Sequence, residues 1–371
     1  MSSTGKHIQY HIFGESHGKG IGIVIKNLPP GVYIDWDQIQ IEMNRRRPGQ
    51  SSLSTARAEK DQVEILSGIF QGRTTGTPLC AIIFNTDIRS KDYDAIKNTI
   101  RPGHADYTAY IKYGGFHDYR GGGHFSGRLT APIVFAGAVA KQILKKKKIY
   151  VGAHIYQIEN IYDQPFDPVH LQAEQIEKLR EKAFSVIDDE KGNQMKKRIS
   201  EIKKEKDSIG GVVEVGVTSL PAGLGGPIFD SVESALASVL FGIPAVKGIE
   251  FGSGFQIAQM KGSEANDPFV LDEQGRIQTS TNHNGGILGG ITNGMPLICR
   301  VALKPTPSIG KRQKTVNIQT SSMEEIEIQG RHDPCIVPRA VPVIEGATAM
   351  VLLDLLLENG KQEDRWWEDE R

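Results

Sequence analysis

The stretch APIVFAGAVAKQILKKKK, residues 131–148, decides what kind of chain this is. Its first fourteen residues carry two strongly polar side chains, Lys141 and Gln142. A helix that is apolar on nearly every face must be buried on nearly every face. The four lysines Lys145–Lys148 suit a helix C-terminus, where cations meet the negative end of the macrodipole, and read as a solvated helix end rather than a binding patch. Residues 343–358 form a second helix, apolar nearly all round, and 230–240 a third, with Asp230 as N-cap and Glu233 at capping-box spacing. Between them lie strands: IGIVIK (21–26), closed by the LPPG turn, LCAIIF (79–84), and GVVEVGVTSL (211–220) with period-two alternation. Buried helices interleaved with strands give an α+β or α/β class. Segment 168–206 is charged and helix-prone, a surface excursion, and the charged tail from Lys361 is expected to be exposed or poorly ordered.

Composition narrows the function. Lys plus Arg and Asp plus Glu are 44 each, a balance that argues against a dedicated nucleic-acid binder. Cys80, Cys299 and Cys335 are scattered and odd in number, as in a cytoplasmic protein with reduced thiols. The opening MSSTGKHIQYH has no apolar h-region, so no signal peptide is expected. The longest apolar run, near 340–357, is broken by Pro342, Glu345 and Asp354, so no membrane span is expected.

Glycine is 41 of 371 residues and clusters in GGGHFSG (121–127), PAGLGGP (221–227) and NGGILGG (284–290). Such clusters make tight turns or let backbone approach a ligand, and nearby histidines and arginines favour a site. FGESHGKGIG (13–22) sets Glu15, Ser16 and His17 in a glycine-flanked loop, and RPGHADYT (101–108) adds His104. DYRGGGHFSGRLT (118–130) adds His124, Ser126 and Arg128 at a helix start, an anion cradle. Arg45, Arg46 and Arg47 run together, and Arg57, Arg101 and Arg120 lie in similar polar stretches; guanidinium forks suit phosphate and carboxylate. KPTPS (304–308) and GRHDPC (330–335), with Asp333 in a fixed turn, complete the set. Walker and Rossmann spacings are absent, as are HExxH, cysteine-rich metal spacings and a GxSxG elbow. What remains is an anionic, phosphorylated substrate handled by general acid–base groups, with no reaction specified.

Taken in order, these segments resemble the chorismate synthase family over nearly the whole chain. GESHG (14–18) is similar to the family's first signature, and RRRPGQSS, DQVEILSG, TTGTP, NTDIRSKDY, RPGHADYTAYIKYG and DYRGGG follow it almost without gaps from 45 to 123. FSGRLT stands at the second signature, and PAGLGGPIFD, NHNGGILGGITNG, ALKPTPSI and GRHDPCIVPRAVPVIEG carry the rest. The departures are local. His124, Phe125, Gly127 and Leu129 replace arginine, serine, alanine and glutamate of the common RSSARET form; Asn27-Leu28 stands where Asp-Gly is usual, Pro244 where asparagine precedes Ala245, and Ser52 where an arginine is common.

The resemblance implies a single-domain β-α-β sandwich over 1–360, helices between two antiparallel sheets, assembled as a homotetramer. It implies anti-1,4-elimination of phosphate and a ring hydrogen from 5-enolpyruvylshikimate-3-phosphate, with reduced FMN as cofactor; NADPH as the flavin's reductant is left open, there being no nicotinamide fingerprint. It implies catalytic roles for His17, His104 and Asp333, with Ser16 and Ser126 in support. Substrate contacts fall to Ser16, Arg46, Arg47, Arg101 and Arg128. The flavin falls to His124, Phe125, Ser126, Pro244, Ala245, Gly289, Lys304, Pro305, Thr306, Pro307, Ser308 and Arg331, with Gly14 and Gly18 allowing it near the backbone. No metal, nucleic acid or membrane is implied. Two other readings are a flavin-binding relative without turnover, and a magnesium-dependent phosphosugar or nucleotide transferase.

Overall fold

Ser3–Thr4 (β1), Gln9–Gly14 (β2), Gly20–Lys26 (β3), Val63–Ser67 (β4) and Leu79–Phe84 (β5) form one antiparallel sheet, in the order β1-β2-β3-β5-β4. Tyr150–Ile158 (β6), Ile161–Tyr162 (β7), Gly211–Thr218 (β8), Val246–Phe251 (β9) and Leu297–Leu303 (β10) form a second, in the order β9-β10-β8-β6-β7. Among the described residues the α-helices longer than four residues are Trp36–Arg46 (α1), Asp106–Lys112 (α2), Thr130–Lys146 (α3), Ala173–Glu181 (α4), Asp189–Lys204 (α5), Val232–Leu240 (α6) and Val337–Asn359 (α7). This computed structural model describes residues 2–47, 49, 61–86, 97–328 and 333–359; Ser52, Arg57, Arg331 and the tail from Lys361 lie outside the described residues.

Helix α3 rests on β3 and β5 of the first sheet, α7 on β6 and β8 of the second, and the two helices lie against each other with α1 and α6 beside them. The chain is therefore an α+β, β-α-β sandwich. Gly137 and Gly346 set the spacing of the helix pair: a Cβ on Gly137 would fall 2.1 Å from the Gly346 Cα. The two acidic interruptions in α7 are satisfied by the fold. Glu345 accepts from Arg45 at 2.5 Å and pairs with Lys141 at 3.5 Å, while Asp354 takes the backbone N–H groups of Lys6, His7 and Ile8 at 2.7–2.8 Å. The span Val337–Glu358 is long and apolar enough to cross a membrane, yet 89% of its most apolar window is buried between the sheets.

The N-cap of α6 and the place of the 168–206 segment differ from the sequence reading, while the burial of the 211–220 strand agrees with it. The N-cap of α6 is Ser231, whose hydroxyl accepts from the Ser234 N–H, because Asp230 turns outward to Lys6 at 2.5 Å. Strand β8 is buried on both faces, because the 168–206 segment folds over the second sheet. Phe166, Leu171, Ile176 and Leu179 form a small cluster there with Ile298, and α5 sends Met195, Ile199 and Ile202 into the main core.

Candidate active site

The turn between β2 and β3 is 15–19, so the loop bearing His17 is a hairpin end held by a sheet. Asn85 clamps it, its amide donating to the Glu15 and Gly18 carbonyls at 3.0 and 2.9 Å. Glu15 is exposed, while Ser16 and His17 are buried, with Ser16 Oγ 3.2 Å from His17 Nδ1. Above the ring runs the 121–123 stretch, where all three glycines have positive φ. Gly121 lies so close that a Cβ there would fall 2.2 Å from His17 Cε1. The glycine cluster thus lets backbone lie over the imidazole.

Arg45, Arg46 and Arg47 follow one another at the end of α1, where successive side chains point about 100° apart. Arg45 turns to Glu42 and Glu345 between the helices. Arg46 turns to the site and is pinned: Nη1 reaches Asp61 Oδ2 at 2.5 Å, Nε the Thr130 hydroxyl at 3.2 Å, and Nη2 the Gly127 carbonyl at 3.3 Å. Arg128 pairs with the other Asp61 oxygen and donates through Nε to Asn85 Oδ1 at 3.1 Å. Burial opposes charge on Asp61, but Arg46 and Arg128 hold its carboxyl below the usual range. Burial pulls Arg46 down to about 10, with Asp61 opposing and the cations Arg339 and Arg128 adding to it, so at neutral pH it stays charged in a cation-rich corner.

The 101–108 turn packs on the 304–308 segment. Lys304 Nζ donates to the Gly103 carbonyl at 2.7 Å, and the Lys304 N–H to the Ala245 carbonyl at 2.9 Å. Arg101 is forked on Asp106, Nε at 2.8 Å and Nη2 at 2.7 Å. His104 Nδ1 lies 3.1 Å from the Pro102 carbonyl, which can only accept, so Nδ1 carries the proton. Nε2 then accepts from the Ser308 hydroxyl at 2.7 Å. Burial first, and the Arg101 charge second, push His104 down to about 4, so it is neutral in the free protein. Asp333, just before α7, receives Arg339 Nη1 at 2.5 Å, and Arg339 Nε also holds the Arg46 carbonyl at 3.0 Å.

These groups face one cavity of about 1200 Å³. Of the residues singled out from sequence, His17, His104, Asp333, Arg46, Arg101, Arg128, His124, Phe125, Ser126, Pro244, Ala245, Lys304, Thr306, Pro307 and Ser308 line it. Ser16 sits behind His17, and Arg47 and Pro305 fall outside the walls. Gly289 is on an exposed hairpin turn, with nothing within 4 Å of a Cβ built there. Gly14 and Gly18 are not in the walls either: a Cβ on Gly14 would meet the Gly20 carbonyl at 2.3 Å, so its glycine serves the hairpin. His124, in place of the usual arginine, bonds the Gly14 carbonyl at 2.8 Å and the Ser2 hydroxyl. Sequence reasoning passed over Asp61, Asn85, Asp106 and Arg339. Each acts through a charged or carbonyl partner; Asp106 lies five residues from Arg101 and Arg339 six from Asp333, whereas Asp61 is 15 residues from Arg46 and Asn85 67 from the Gly18 carbonyl.

The family model for chorismate synthase matches residues 8–357. A chorismate synthase of Pyrococcus abyssi is 50% identical over 353 residues, covering 95% of this chain and 97% of that one. One of Thermococcus gammatolerans is 49% identical over 354 residues, with the same coverage. A crystal structure of a chorismate synthase superposes with a TM-score of 0.74 at 30% identity, covering 96% of this chain and 93% of that one. With the family model matched over residues 8–357 and relatives about 50% identical along 95% of its length, the chain belongs to the chorismate synthase family.

Proposed function

We propose the following roles for this chain's residues in the reaction of its family, loss of phosphate and a ring hydrogen from 5-enolpyruvylshikimate-3-phosphate to give chorismate for aromatic amino acid biosynthesis. The enzyme is a lyase that breaks a carbon–oxygen bond to phosphate. The cavity suits reduced FMN beside the substrate. Its volume is about 1200 Å³, Ile12, Ile133, Val239, Ile243 and Val343 give it an apolar wall, and Lys304 offers a cation for a phosphate. Pro244, Ala245, His124, Phe125, Ser126 and the 304–308 segment would hold the flavin. When bound, it lends electron density to a carbon lacking an adjacent carbonyl and takes up the departing hydrogen. NADPH would enter as its reductant.

Arg46 and Arg128 bind the substrate's anionic groups, and Arg101 adds charge near the leaving phosphate. His104 is neutral until a phosphate dianion arrives. That charge favours its protonation, and Nε2–H then donates to the leaving oxygen in place of accepting from Ser308. His17, with Nδ1 toward Ser16, exchanges its proton through Nε2. Asp333, oriented by Arg339, accepts a proton on the flavin side. The observation that most supports this assignment is the convergence of His17, His104 and Asp333, from three distant segments, on one cavity with three buried arginines, Arg46, Arg101 and Arg128.

A homotetramer in the cytoplasm completes the reading. Ile228, Phe229 and Phe255 are 78%, 90% and 83% exposed, as unmade subunit contacts would be, and the exposed Gly289 would reach a flavin only from a neighbouring copy. The deciding assay is anaerobic: protein, substrate and chemically reduced FMN, following chorismate absorbance and released phosphate. Both should appear together and neither with oxidised flavin. Reduced flavin that binds without producing either would overturn the proposal.

A further inference from the structure

Asp61 is an unusual residue for its place. Its side chain is fully buried, its backbone has φ +48°, and it stands behind the cavity, outside the walls. A left-handed conformation is uncommon outside glycine, asparagine and aspartate, and here it aims a buried carboxylate at two cations. Its two oxygens are divided between two guanidiniums that do line the cavity, Oδ2 to Arg46 and Oδ1 to Arg128. Thr130 and the Gly127 carbonyl fix the rest of Arg46, and Asn85 fixes Nε of Arg128. The Asn85 amide in turn holds both ends of the turn that carries His17. One buried carboxylate and one amide therefore set the spacing of two cationic forks and tie it to the histidine loop.

We propose that Asp61, with Asn85 beside it, is a positioning residue of the anion site, aligning Arg46 and Arg128 on the substrate's charged groups and fixing them relative to His17. This rests on the reading of Arg46 and Arg128 as substrate contacts. A guanidinium pair without Asp61 keeps its charge, but the two forks repel, and each is free to turn from the ligand. Affinity then falls although the cations remain. A carboxylate supplied from solution should restore the alignment where the side chain has been cut back.

The experiment measures substrate binding by titration calorimetry with no reduced flavin, so that nothing turns over, in parallel with thermal unfolding. Asp61→Asn and Asn85→Ala should bind roughly tenfold to a hundredfold more weakly, by analogy with the loss of groups that orient the ligands of a metal ion. Asp61→Ala should bind more weakly still and regain affinity as formate is added, while the unaltered protein gains nothing from formate. Arg128→Gln is the control for the underlying reading. If it binds normally, the assignment of the anion site fails and the inference with it. If Arg128→Gln weakens binding while Asp61→Asn and Asn85→Ala bind normally, whatever their unfolding temperatures, the anion site stands and the positioning role is overturned. If Asp61→Asn fails to fold, Asn85→Ala and formate-supplemented Asp61→Ala decide between the same two outcomes.

Discussion

Gly121→Ala adds one methyl group directly over His17. The built Cβ lies 2.2 Å from Cε1 and 2.3 Å from Nδ1, whereas carbon atoms in contact sit about 3.5–4.0 Å apart. The ring, or the loop above it, must therefore retreat by more than about 1 Å. A shift of that size at a reacting group costs on the order of 100-fold in rate. Two stability terms accompany it: about 1–2 kcal/mol for alanine at positive φ and about 1–3 kcal/mol for overpacking. Gly122→Ala separates the effects. Gly122 has φ +81°, but the nearest atom to its Cβ is Ser126 Cβ at 3.9 Å, so it carries the backbone cost without touching His17. Both variants and the parent would be compared by thermal unfolding and by single-turnover chorismate formation under anaerobic conditions with reduced FMN. Both variants should be destabilised, and only Gly121→Ala should lose about 100-fold in turnover per folded molecule. Turnover by Gly121→Ala equal to that of Gly122→Ala would refute the placement of His17 as a rate-determining contact.

His104→Ala should stay folded and lose most turnover, and in the parent the His104 ring, followed by NMR, should titrate near 4 in the free protein and higher once inorganic phosphate is bound; a free-protein value near the ordinary 6.5 would remove the basis for a neutral imidazole. Ser308→Ala takes away the hydroxyl that donates to Nε2 and stabilises the neutral ring, so it should raise that pKa, and no change would reverse the tautomer. Buried His154 sits between Asp163 at 2.9 Å and Glu214 at 3.0 Å: burial alone would lower its pKa, but the two carboxylates raise it above 6.5. Its contribution to stability is thus full below 6.5 and lost as pH rises through the raised value; Asp163, held low, contributes above 3.8 and loses that as pH falls through its lowered value. Urea unfolding of the parent should show the alkaline fall, and His154→Gln should abolish it and cost about 3–5 kcal/mol, as loss of one member of a buried ion pair does. Gly137→Ala drives a methyl to 2.1 Å from the Gly346 backbone and should cost at least about 1–3 kcal/mol in thermal unfolding; an unchanged midpoint would mean the two helices slide apart freely.

What the sequence disclosed, and what it hid, divide by the range of the interaction. LCAIIF gives a strand with the bounds read from it, and the helix read at 131–144 runs 130–146, because apolar runs and turn residues act on their own segment. The helix at 343–358 begins earlier, at Val337, and carries Pro342 inside it, one backbone hydrogen bond being given up while the apolar face stays buried. GVVEVGVTSL is the buried strand read from it, and even its polar Glu214 is fully buried, on His154 and Arg300, because the 168–206 segment covers the outer face. The site follows the same division. Histidines in glycine turns announce themselves locally, so His17 and His104 were legible. The meaning of a charge lies in its partners, and each of these has a distant one: Asp61 is 67 residues from Arg128 besides 15 from Arg46, and Arg339 is 293 from the Arg46 carbonyl besides six from Asp333. From RRRPG alone the three arginines were equivalent; only the turn of α1 sends Arg45 into the helix layer and Arg46 to the cavity. His124 makes the same point. Its ring, where the family commonly has an arginine, is bonded to Gly14 and to Ser2, 122 residues away, partners that the signature itself does not contain.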